Sequence, residues 1–301
     1  MRLEYKRILK SRNLRLKILE ILDFIPDETM IRIQYKIKTG RKIDLKKPAR
    51  YSEKVQWYKL KYRDPLMIQC ADKYGVREYV KSKGLEKILI PLYGVYKNAE
   101  DINFDTLPNK FVLKTTNGSH TNIFCEDKSK FNRNEAVEKL NTWLKSKRIK
   151  AGREWAYYNI EPKIICEAYL EKDRTGDLPD YKFYCFNGEV FCLYVCSERN
   201  INGDTKISIF DRDFNKMPVK RKNIDEVSLN IRKPENFETM IRYAEILSSD
   251  FPHVRVDLYN KDGFIYFGEL TFYSASGYIE FEPDNFDFVL GEKFKLPGEK
   301  Y

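Results

Sequence analysis

Four side chains suited to phosphate and metal chemistry lie within residues 254–277 of the 301-residue sequence. The stretch VRVDLYNKDGFIYFGELTFYSASG holds Arg255, Asp257, Glu269 and Thr271 among aliphatic and aromatic residues. Carboxylates are ligands for Mg²⁺, a hard cation that also keeps waters and phosphate oxygens, and an arginine can stabilise charge on a transferring phosphoryl group. These residue types indicate a metal and phosphate site. The alternative is a structural ion pair between Arg255 and Glu269 across two strands.

The same stretch has the pattern of a β-hairpin. Period-two alternation runs through VRVDLY, β-branched and aromatic residues dominate FIYFGELTFY, and turn residues fill the intervening NKDG. A three-residue loop that ends with Gly263 in the left-handed region pairs Arg255 with Glu269 and Asp257 with Phe267. The four polar side chains then share one face. The predicted core residues on the other face are Val256, Leu258, Tyr266 and Leu270. A two-residue turn would instead place Asp257 and Glu269 on opposite faces, so the site hypothesis depends on the longer loop.

The composition is that of a globular protein with a substantial core. Hydrophobic residues make up 42% of the chain, which is enough for one large domain or two to three small ones. The six cysteines form no CxxC pair, which predicts reduced, structural thiols. No apolar run approaches the roughly 18 residues of a membrane span, and the N-terminus lacks the apolar core of a signal peptide. The protein is therefore predicted to be cytoplasmic.

Histidine is scarce, with only His120 and His253 in the sequence. A histidine-rich metal site is excluded for that reason. A Ser-His-Asp hydrolase is disfavoured because neither histidine accompanies a nucleophile-elbow pattern. His253, beside Pro252, is predicted to lie in a loop or at a strand end, whereas His120 lies in a polar loop.

Positive charge is concentrated in the first 50 residues. The chain has a formal net charge of +10, and residues 1–50 hold 15 Lys/Arg against 6 Asp/Glu. Because the remainder is close to neutral, the charge does not follow the grooves that a nucleic-acid enzyme needs, and no nucleic-acid partner is predicted. A basic amphipathic helix is predicted here, ending at Pro26. Its apolar residues at helical spacing are Leu14, Ile18, Ile21, Leu22 and Ile25. Such a helix suits the anionic inner face of a membrane or an acidic partner, and docking on its own domain is an equal alternative.

The order of predicted elements indicates the α+β class. Two helical stretches come first, one capped by Ser52 and ending near Pro65, the other ending at Gly84. A hairpin, a helix and a strand follow in residues 109–170, and further hairpins form a mostly antiparallel sheet after residue 171. The predicted division is a basic segment (1–50), a helical region (51–108) and two α+β units (109–170 and 171–301).

Two lysines outside the hairpin also suit phosphate binding. Lys114 ends an apolar strand just before the polar loop 115–120, whose glycine allows backbone N–H groups to approach phosphate oxygens. This loop matches neither the Walker pattern nor the dinucleotide pattern, and an ordinary polar hairpin tip is the alternative. Lys182 shares a predicted strand face with Asp180 and Tyr184, for which an exposed, salt-bridged sheet face is the ordinary interpretation.

Several segments are informative as an ordered set. They are Asp72-Lys73 with Val76-Arg77, PNKFVLK with NGSH, IICEAYL, DYKFYCFNG, and VRVDLY with FGELTFYSASG. This set resembles the ATP-grasp superfamily, and specifically its TupA-like branch, which is associated with teichuronopeptide and capsular polysaccharide biosynthesis. The resemblance runs from about Ser52 to Gly291. It implies that a lid subdomain and a C-terminal subdomain hold ATP between two antiparallel sheets.

The resemblance also implies roles for residues at matching positions. Lys114 corresponds to a lysine that contacts nucleotide phosphates and stabilises the transferring group, and Arg255 to the catalytic arginine beside that group. Asp257 and Glu269 correspond to the two magnesium-binding acids. Thr271 stands where many members carry a metal-binding asparagine, and a threonine offers only its hydroxyl oxygen at that position. The other implied nucleotide contacts are Lys73, Asn117, Gly118, Ser119, His120, Glu167, Ala168, Leu170 and Lys182.

The implied activity is that of an ATP- and Mg²⁺-dependent carboxylate–amine ligase. ATP transfers its γ-phosphoryl group to a carboxylate, which gives an acylphosphate, and an amine then attacks to form an amide. For this branch the implied substrates are an amino acid or amine and a sugar component of a bacterial surface polysaccharide. Two alternatives stay open: a kinase that phosphorylates a single acceptor, and a nucleotide-binding partner of a glycosyltransferase without ligase chemistry.

Overall fold

Helices occupy the first part of the chain and strands most of the rest. The computed structural model describes residues 11–118, 121–145, 150–172, 176–198 and 205–298. Within these ranges the α-helices are α1 (Arg12–Ile21), α2 (Asp27–Thr39), α3 (Tyr51–Lys61), α4 (Pro65–Ala71), α5 (Gly75–Ser82), α6 (Arg133–Lys145), α7 (Phe237–Ser248) and α8 (Phe286–Lys293). The helix predicted before Pro26 is α1, followed by the 3₁₀ turn Leu22–Phe24.

The start of α3 differs from the expectation that Ser52 caps it. The N-cap residue is Arg50, and the carboxylate of Glu53 accepts the backbone N–H groups of Ala49 and Arg50 at 3.1 and 3.2 Å. Ser52 lies inside the helix, where its backbone N–H and its hydroxyl donate to the carboxylate of Asp287 at 2.9 and 2.7 Å. The Ser52 hydroxyl therefore binds a residue 235 positions away in sequence, and no local sequence pattern indicates such a contact.

The second predicted helix is divided into α4 and α5. α4 begins after Asp64, whose carboxylate accepts the backbone N–H of Leu66 at 2.9 Å, and α5 ends before Gly84, which has a φ of +72°. In the break between them, the backbone N–H of Lys73 donates to Thr116 O at 3.2 Å. The break thus brings Lys73 against the loop that follows the first predicted hairpin strand.

The strands form antiparallel sheets, which confirms the α+β class. In the described residues they are β1 (Leu92–Tyr96), β2 (Phe111–Thr115), β3 (Asn122–Cys125), β4 (Ile164–Ala168), β5 (Asp180–Phe186), β6 (Glu189–Ser197), β7 (Lys206–Asp211), β8 (Lys220–Arg221), β9 (His253–Lys261), β10 (Phe264–Thr271) and β11 (Phe281–Glu282). A four-stranded sheet has the order β1-β4-β2-β3, a five-stranded sheet has the order β10-β9-β5-β6-β7, and β8 pairs with β11. The predicted hairpins β2–β3, β5–β6 and β9–β10 are all present. The domain boundaries stay a prediction, and β1, which precedes residue 108, shares a sheet with β4.

Each larger sheet has its own hydrophobic core. Phe183 and Val256 of the five-stranded sheet pack with Phe237 of α7 in one buried cluster, and Leu113 of the four-stranded sheet packs with Leu140 of α6 in another. Successive side chains of a strand point to opposite faces. The residues of the two sheets that face away from these cores are consequently free to carry polar groups.

The N-terminal helices are tied to the rest of the protein by Arg153. Its guanidinium donates to Leu22 O at 3.1 Å, to Asp23 O at 3.3 Å and to the Asp27 carboxylate at 2.9 Å. Arg153 is only 3% exposed, so these contacts dock residues 22–27 on the protein, in agreement with the docking alternative. Across the described part of the chain, no helix combines the length and apolar character that crossing a bilayer requires.

Candidate active site

The β9–β10 hairpin has a shorter turn than predicted. Lys261 pairs with Phe264, so the loop consists of Asp262 and Gly263, whose φ values are +50° and +87°. Two positive φ values are typical of the type I′ turn, which matches the twist of the flanking strands. The predicted three-residue loop is therefore wrong.

A β-bulge at Gly268 restores the shared polar face that the shorter turn would have removed. The register shifts between Phe267 and Glu269, after which Glu269 pairs with Asp257 and Thr271 pairs with Arg255. A bulge adds one residue to one strand and so reverses the alternation beyond it. The predicted pairing of Arg255 with Glu269 is wrong, although the four polar side chains do lie on one face.

The core face of the hairpin was predicted correctly at three of four positions. Val256, Leu258 and Leu270 are buried. Phe267 pairs with Leu258 and is 4% exposed, whereas Tyr266 is half-buried. The correction at Tyr266 follows directly from the shorter turn, since the residues between the turn and the bulge are displaced by one position.

Arg255 connects the polar side chains of the hairpin. Its Nε and Nη2 donate to the two carboxylate oxygens of Asp257 at 2.6 and 2.7 Å. Nη2 also donates to Glu269 Oε1 at 3.1 Å and to Thr271 Oγ1 at 2.9 Å. The ion pair between Arg255 and Glu269 thus exists, but as one contact of a larger cluster. Tyr194 accepts a hydrogen bond from Nη1 at 2.9 Å.

Lys182 adds a second cation to the same buried carboxylate. Its ammonium forms one ion pair with Asp257 on the neighbouring strand β9 and another with Asp180 on its own strand β5. Burial alone would raise the pKa of the Asp257 carboxyl, but the charges of Arg255 and Lys182 outweigh it and hold that pKa below its usual value. Burial likewise opposes the charge of Lys182, while Asp257 and Asp180 raise its pKa well above the usual value. The face predicted at Lys182 is therefore buried and not an exposed salt-bridged surface.

A second charged group lies on the four-stranded sheet. Lys114 Nζ is 2.8 Å from Glu167 Oε2, and Arg77 Nη1 is 3.0 Å from Glu167 Oε1. Arg77 also donates to Ile90 O at 2.9 Å. Because Lys114 lies on β2, Glu167 on β4 and Arg77 on α5, this cluster joins the helical region to the sheet.

Lys73 meets the loop after β2. Its ammonium donates to Gly118 O, and burial lowers the pKa of Lys73 from its usual value. The neighbouring Asn117 lines a cavity beside Lys73. Ser119 and His120, which were predicted to belong to this loop site, lie outside the described residues.

These groups surround two adjoining cavities. The first has a volume of about 160 Å³, and its charged lining residues are Lys73, Arg77, Lys114, Glu167, Asp180, Lys182, Asp257 and Glu269. The second has a volume of about 650 Å³, and its aromatic lining residues are Trp143, Tyr157, Tyr158 and Tyr273. Lys73, Gly268 and Glu269 line both cavities, so the two share a wall. Of the predicted nucleotide contacts, Ala168 and Leu170 lie outside both linings.

A family model described as TupA-like ATP-grasp matches residues 53–295, most of the chain. The chain belongs to this family. The match confirms the superfamily and the branch predicted from the ordered segments. No curated protein sequence matches the chain.

Solved structures similar to this ATP-grasp protein include several ligases. They include D-alanine–D-alanine ligase of Bacillus anthracis complexed with ATP (16% identity, 67% of this chain and 53% of that chain, TM-score 0.39). An L-amino acid ligase of Bacillus licheniformis is similar at 13% identity over 90% of this chain and 57% of that chain, with a TM-score of 0.45. The ADP complex of an N5-carboxyaminoimidazole ribonucleotide synthetase is similar at 16% identity over 73% of this chain and 50% of that chain, with a TM-score of 0.44. The chain spans about half the length of the solved structures it matches. Similarity at these levels assigns neither an activity nor a substrate.

The residues of this ATP-grasp protein's first cavity that have no predicted role include Arg77, Asp180 and Tyr259. Arg77 lies in the segment Val76-Arg77 and Asp180 on the predicted strand face of Lys182, but the sequence assigns a contact to neither of them, nor to Tyr259. The alternation along β9 places Tyr259 two residues beyond Asp257, on the same face, which was a usable signal. Arg77 carried no such signal, because its partner Glu167 is 90 residues away in sequence.

Three side chains of this ATP-grasp protein's β9–β10 hairpin have the type of ligand atom that magnesium takes. Among the described residues, no group of three or more His, Cys, Asp or Glu side chains could hold a metal ion by itself. Asp257, Glu269 and Thr271 offer oxygen atoms only, which suits Mg²⁺ when waters and phosphate oxygens complete its shell. Their oxygens converge within 2.7 to 3.1 Å of Arg255 Nη2, so in this arrangement the cation that the three side chains face is the Arg255 guanidinium.

Proposed function

We propose that this protein is an ATP-dependent carboxylate–amine ligase. One observation carries the proposal: three lysines and two carboxylates, Lys73, Lys114, Lys182, Asp257 and Glu269, line a single cavity in a member of the TupA-like ATP-grasp family. Cations on two sheets and acids on a hairpin are the groups that phosphoryl transfer requires, because the transferring group carries negative charge in its transition state.

The nucleotide is assigned to the first cavity. Lys114 and Lys182 approach it from opposite sheets, and Lys73 enters it from the break between α4 and α5. The cavity of about 160 Å³ is smaller than the ~300–1,000 Å³ of ordinary small-molecule sites. Binding of ATP therefore requires the cavity to widen, and the lysines of the ion pairs within each sheet, Lys114–Glu167 and Lys182–Asp257, to turn toward phosphate oxygens.

Arg255 and Lys114 are assigned to the transferring phosphoryl group. Arg255 is 7% exposed and faces Glu269 and Thr271 at the shared wall of the two cavities. When bound by Asp257, Glu269 and Thr271, Mg²⁺ supplies positive charge to the phosphate oxygens. The buried position of Arg255 fixes its guanidinium before reaction, which is the condition for effective charge stabilisation.

The second cavity is assigned to the acid and the amine. Its volume of about 650 Å³ is sufficient for a sugar derivative. Trp143, Tyr157, Tyr158 and Tyr273 contribute flat apolar faces and polar edges, which suit a ring that carries hydroxyl groups. The family resemblance supports an amino acid and a sugar component of a bacterial surface polysaccharide as the pair that is joined.

The activity is tested by a turnover screen with purified protein, ATP and Mg²⁺. Common amino acids are combined with nucleotide-linked uronic acids, and ADP, phosphate and amide product are measured. A ligase releases ADP and phosphate only when both an acid and an amine are present. ADP together with a stable phosphorylated product from one acceptor would support a kinase instead, and absence of ADP under every combination would support a nucleotide-binding partner protein.

The matched control for this screen is Lys110→Met. Lys110 precedes Lys114 by four residues and forms an exposed ion pair with Glu171, outside both cavities. This variant should retain the activity of the unmodified protein, whereas Lys114→Met should lose most of it. Equal loss in both would point to a general effect of charge.

We further propose that the basic N-terminal segment contacts an anionic membrane surface. Leu14, Ile21 and Phe24 are 47%, 72% and 81% exposed, although residues 22–27 are docked through Arg153. Apolar side chains next to basic residues suit the boundary between lipid headgroups and acyl chains. Arg153 holds residues 22–27 on the protein, while Leu14, Ile21 and Phe24 remain accessible to a membrane surface.

A further inference from the structure

Lys59 is a completely buried cation that the nucleotide site does not use. It lies on α3 with 0% exposure. Its Nζ donates to Gln56 Oε1 at 2.9 Å, to Gly152 O at 2.8 Å, and to Ser276 O and Oγ at 2.8 and 3.0 Å. These acceptors are neutral oxygens, and an ammonium is stable in such a position only when hydrogen bonds replace its water. One side chain thus joins three segments that are far apart in sequence.

One of these segments is a turn in an unfavourable backbone conformation. Two residues separate the turn Ser274–Gly277 from the end of β10, and Ala275 and Ser276 have φ values of +45° and +56°. Residues other than glycine rarely adopt positive φ unless surrounding contacts hold them there. Gln56 Nε2 donates to Ser276 O and to Gly277 O at 3.0 and 3.1 Å. Lys59 and Gln56 of α3 therefore hold Ser276 and Gly277, while Arg255 Nη1 donates to Ser274 Oγ at 2.9 Å at the start of the turn.

Both segments held by Lys59 form walls of the second cavity. Gly152 and Glu154 of one segment and Ala275 and Ser276 of the other all line this cavity. The turn also continues from Thr271, which lines the same cavity. A change in the position of the turn would consequently move the second cavity relative to the cluster around Arg255.

We propose that Lys59 is a positioning residue that sets the wall of the acceptor cavity, a role that rests on the proposed ligase function. It touches neither the nucleotide cavity nor the Arg255 cluster. It acts through the backbone of Gly152 and Ser276, which it holds at a fixed separation. The substrate it affects is the acid or amine in the second cavity, and not ATP.

The protonation state of Lys59 is sensitive to its surroundings. Burial lowers the pKa of Lys59 to about 7, while Glu154 raises it and Lys38 lowers it further. The ring of Tyr278 lies 5.0 Å from Nζ on another side. A neutral amine has one N–H fewer, so deprotonation above neutral pH would weaken the bridge between Gly152 and Ser276.

The test compares Lys59→Met with Lys61→Met, which alters an exposed lysine on the same helix. For the acid–amine pair that gives the fastest ADP release with the unmodified protein, Lys59→Met should raise the KM of that acid or amine about tenfold or more. The KM for ATP should change less than twofold, and Lys61→Met should change neither. In the unmodified protein the acceptor KM should rise between pH 6.5 and 8.5, and this rise should be absent in Lys59→Met. Equal changes in both KM values, or no change in either, would overturn the proposal.

Hydrogen exchange separates this proposal from the proposed function. Exchange in residues 150–158 and 272–278 should accelerate in Lys59→Met, while exchange in β5 and β9 stays as in the unmodified protein. This readout needs no substrate, so it applies even if the screen detects no ligase. Gln56→Leu, which removes the hydrogen bonds from α3 to Ser276 O and Gly277 O, should accelerate exchange at 272–278 and serves if Lys59→Met does not fold. Unchanged exchange at 272–278 in the folded variants would refute the role of Lys59.

Discussion

Arg255 donates two nearly parallel hydrogen bonds to the carboxylate of Asp257, two residues further along the same strand. The distances are 2.6 and 2.7 Å, and the two side chains are 8% and 2% exposed. Two-pronged contacts between arginine and carboxylate are strong and directional. The pair therefore determines the orientation of both proposed catalytic groups on this hairpin.

Replacing Asp257 should affect both stability and activity. Asp257→Asn leaves Arg255 and Lys182 buried without their main counter-charge, so the free energy of unfolding should fall by about 3 kcal/mol or more. Turnover should fall by at least ~100-fold if the carboxylate contributes to phosphoryl transfer. Urea unfolding and ADP release measure the two effects.

Glu269→Gln provides the matched comparison. The Glu269 side chain is 51% exposed, and loss of its ion pair should cost less than ~1 kcal/mol of unfolding free energy. Its turnover should nevertheless fall as steeply as that of Asp257→Asn. Intact turnover in both variants would show that the metal assignment is wrong.

Lys114 should contribute mainly to nucleotide binding and phosphoryl transfer. Lys114→Met removes a charge-assisted hydrogen bond, worth about 1.5–3 kcal/mol, from the nucleotide phosphates. The kcat/KM for ATP should accordingly fall roughly 10- to 100-fold. Initial-rate kinetics at varied ATP measure this, with Lys110→Met alongside. A loss below threefold in Lys114→Met would contradict the assignment.

His253 should make the folded state sensitive to mild acid. Its Nδ1 is 2.8 Å from Cys185 O and its Nε2 is 3.0 Å from Tyr51 Oη, which suits a neutral ring that donates to the carbonyl and accepts from the hydroxyl. Burial lowers the pKa of His253 to about 3, against about 6.5 in the unfolded chain. Its contribution is thus complete above pH 6.5 and is lost as the pH falls toward 3, because only the unfolded state binds the proton.

The corresponding measurement is urea unfolding at pH 7.5, 6.5 and 5. Between pH 7.5 and 5 the unfolding free energy should fall by about 2 kcal/mol through His253. In His253→Gln this decrease should be largely absent, whatever the absolute stability of the variant. Parallel pH profiles for the two proteins would place the sensitivity elsewhere.

Deletion of residues 1–25 should weaken binding to anionic vesicles. The segment holds 7 Lys/Arg against 3 Asp/Glu, and each Lys or Arg near such a surface contributes about 1 kcal/mol. Sedimentation with vesicles that contain phosphatidylserine should show the loss at low salt and little difference at high salt. Arg153→Met is the companion variant, because it releases residues 22–27 without removing the basic charges before them. Vesicle binding that is unaffected by the deletion would favour docking alone.

Local sequence patterns were sufficient to predict the hairpins β2–β3, β5–β6 and β9–β10 and the polar face of β9 and β10, but not the strands β7, β8 and β11. Alternation determines which side chains share a face, and turn residues determine where a chain reverses. The hairpin also shows the limit of this reasoning. The prediction used a three-residue loop, whereas the protein uses Asp262-Gly263 and a bulge at Gly268. Both arrangements place Arg255, Asp257, Glu269 and Thr271 on one face, so a correct face was predicted with an incorrect register.

Only the tertiary structure decided which distant residues meet. The contacts of Arg77 with Glu167, of Lys182 with Asp257 and of Lys59 with Ser276 join residues 90, 75 and 217 positions apart. Lys59 lies in YSEKVQWYKLKYRDP, where a lysine is expected to face water, yet helix packing buries it completely. Side-chain periodicity specifies faces but not the partners opposite them, because partners depend on how the sheets and helices pack. The sequence by itself thus determined the residue types and strand faces of the phosphate and metal site, and packing alone determined its counter-ions and the buried support of the neighbouring cavity.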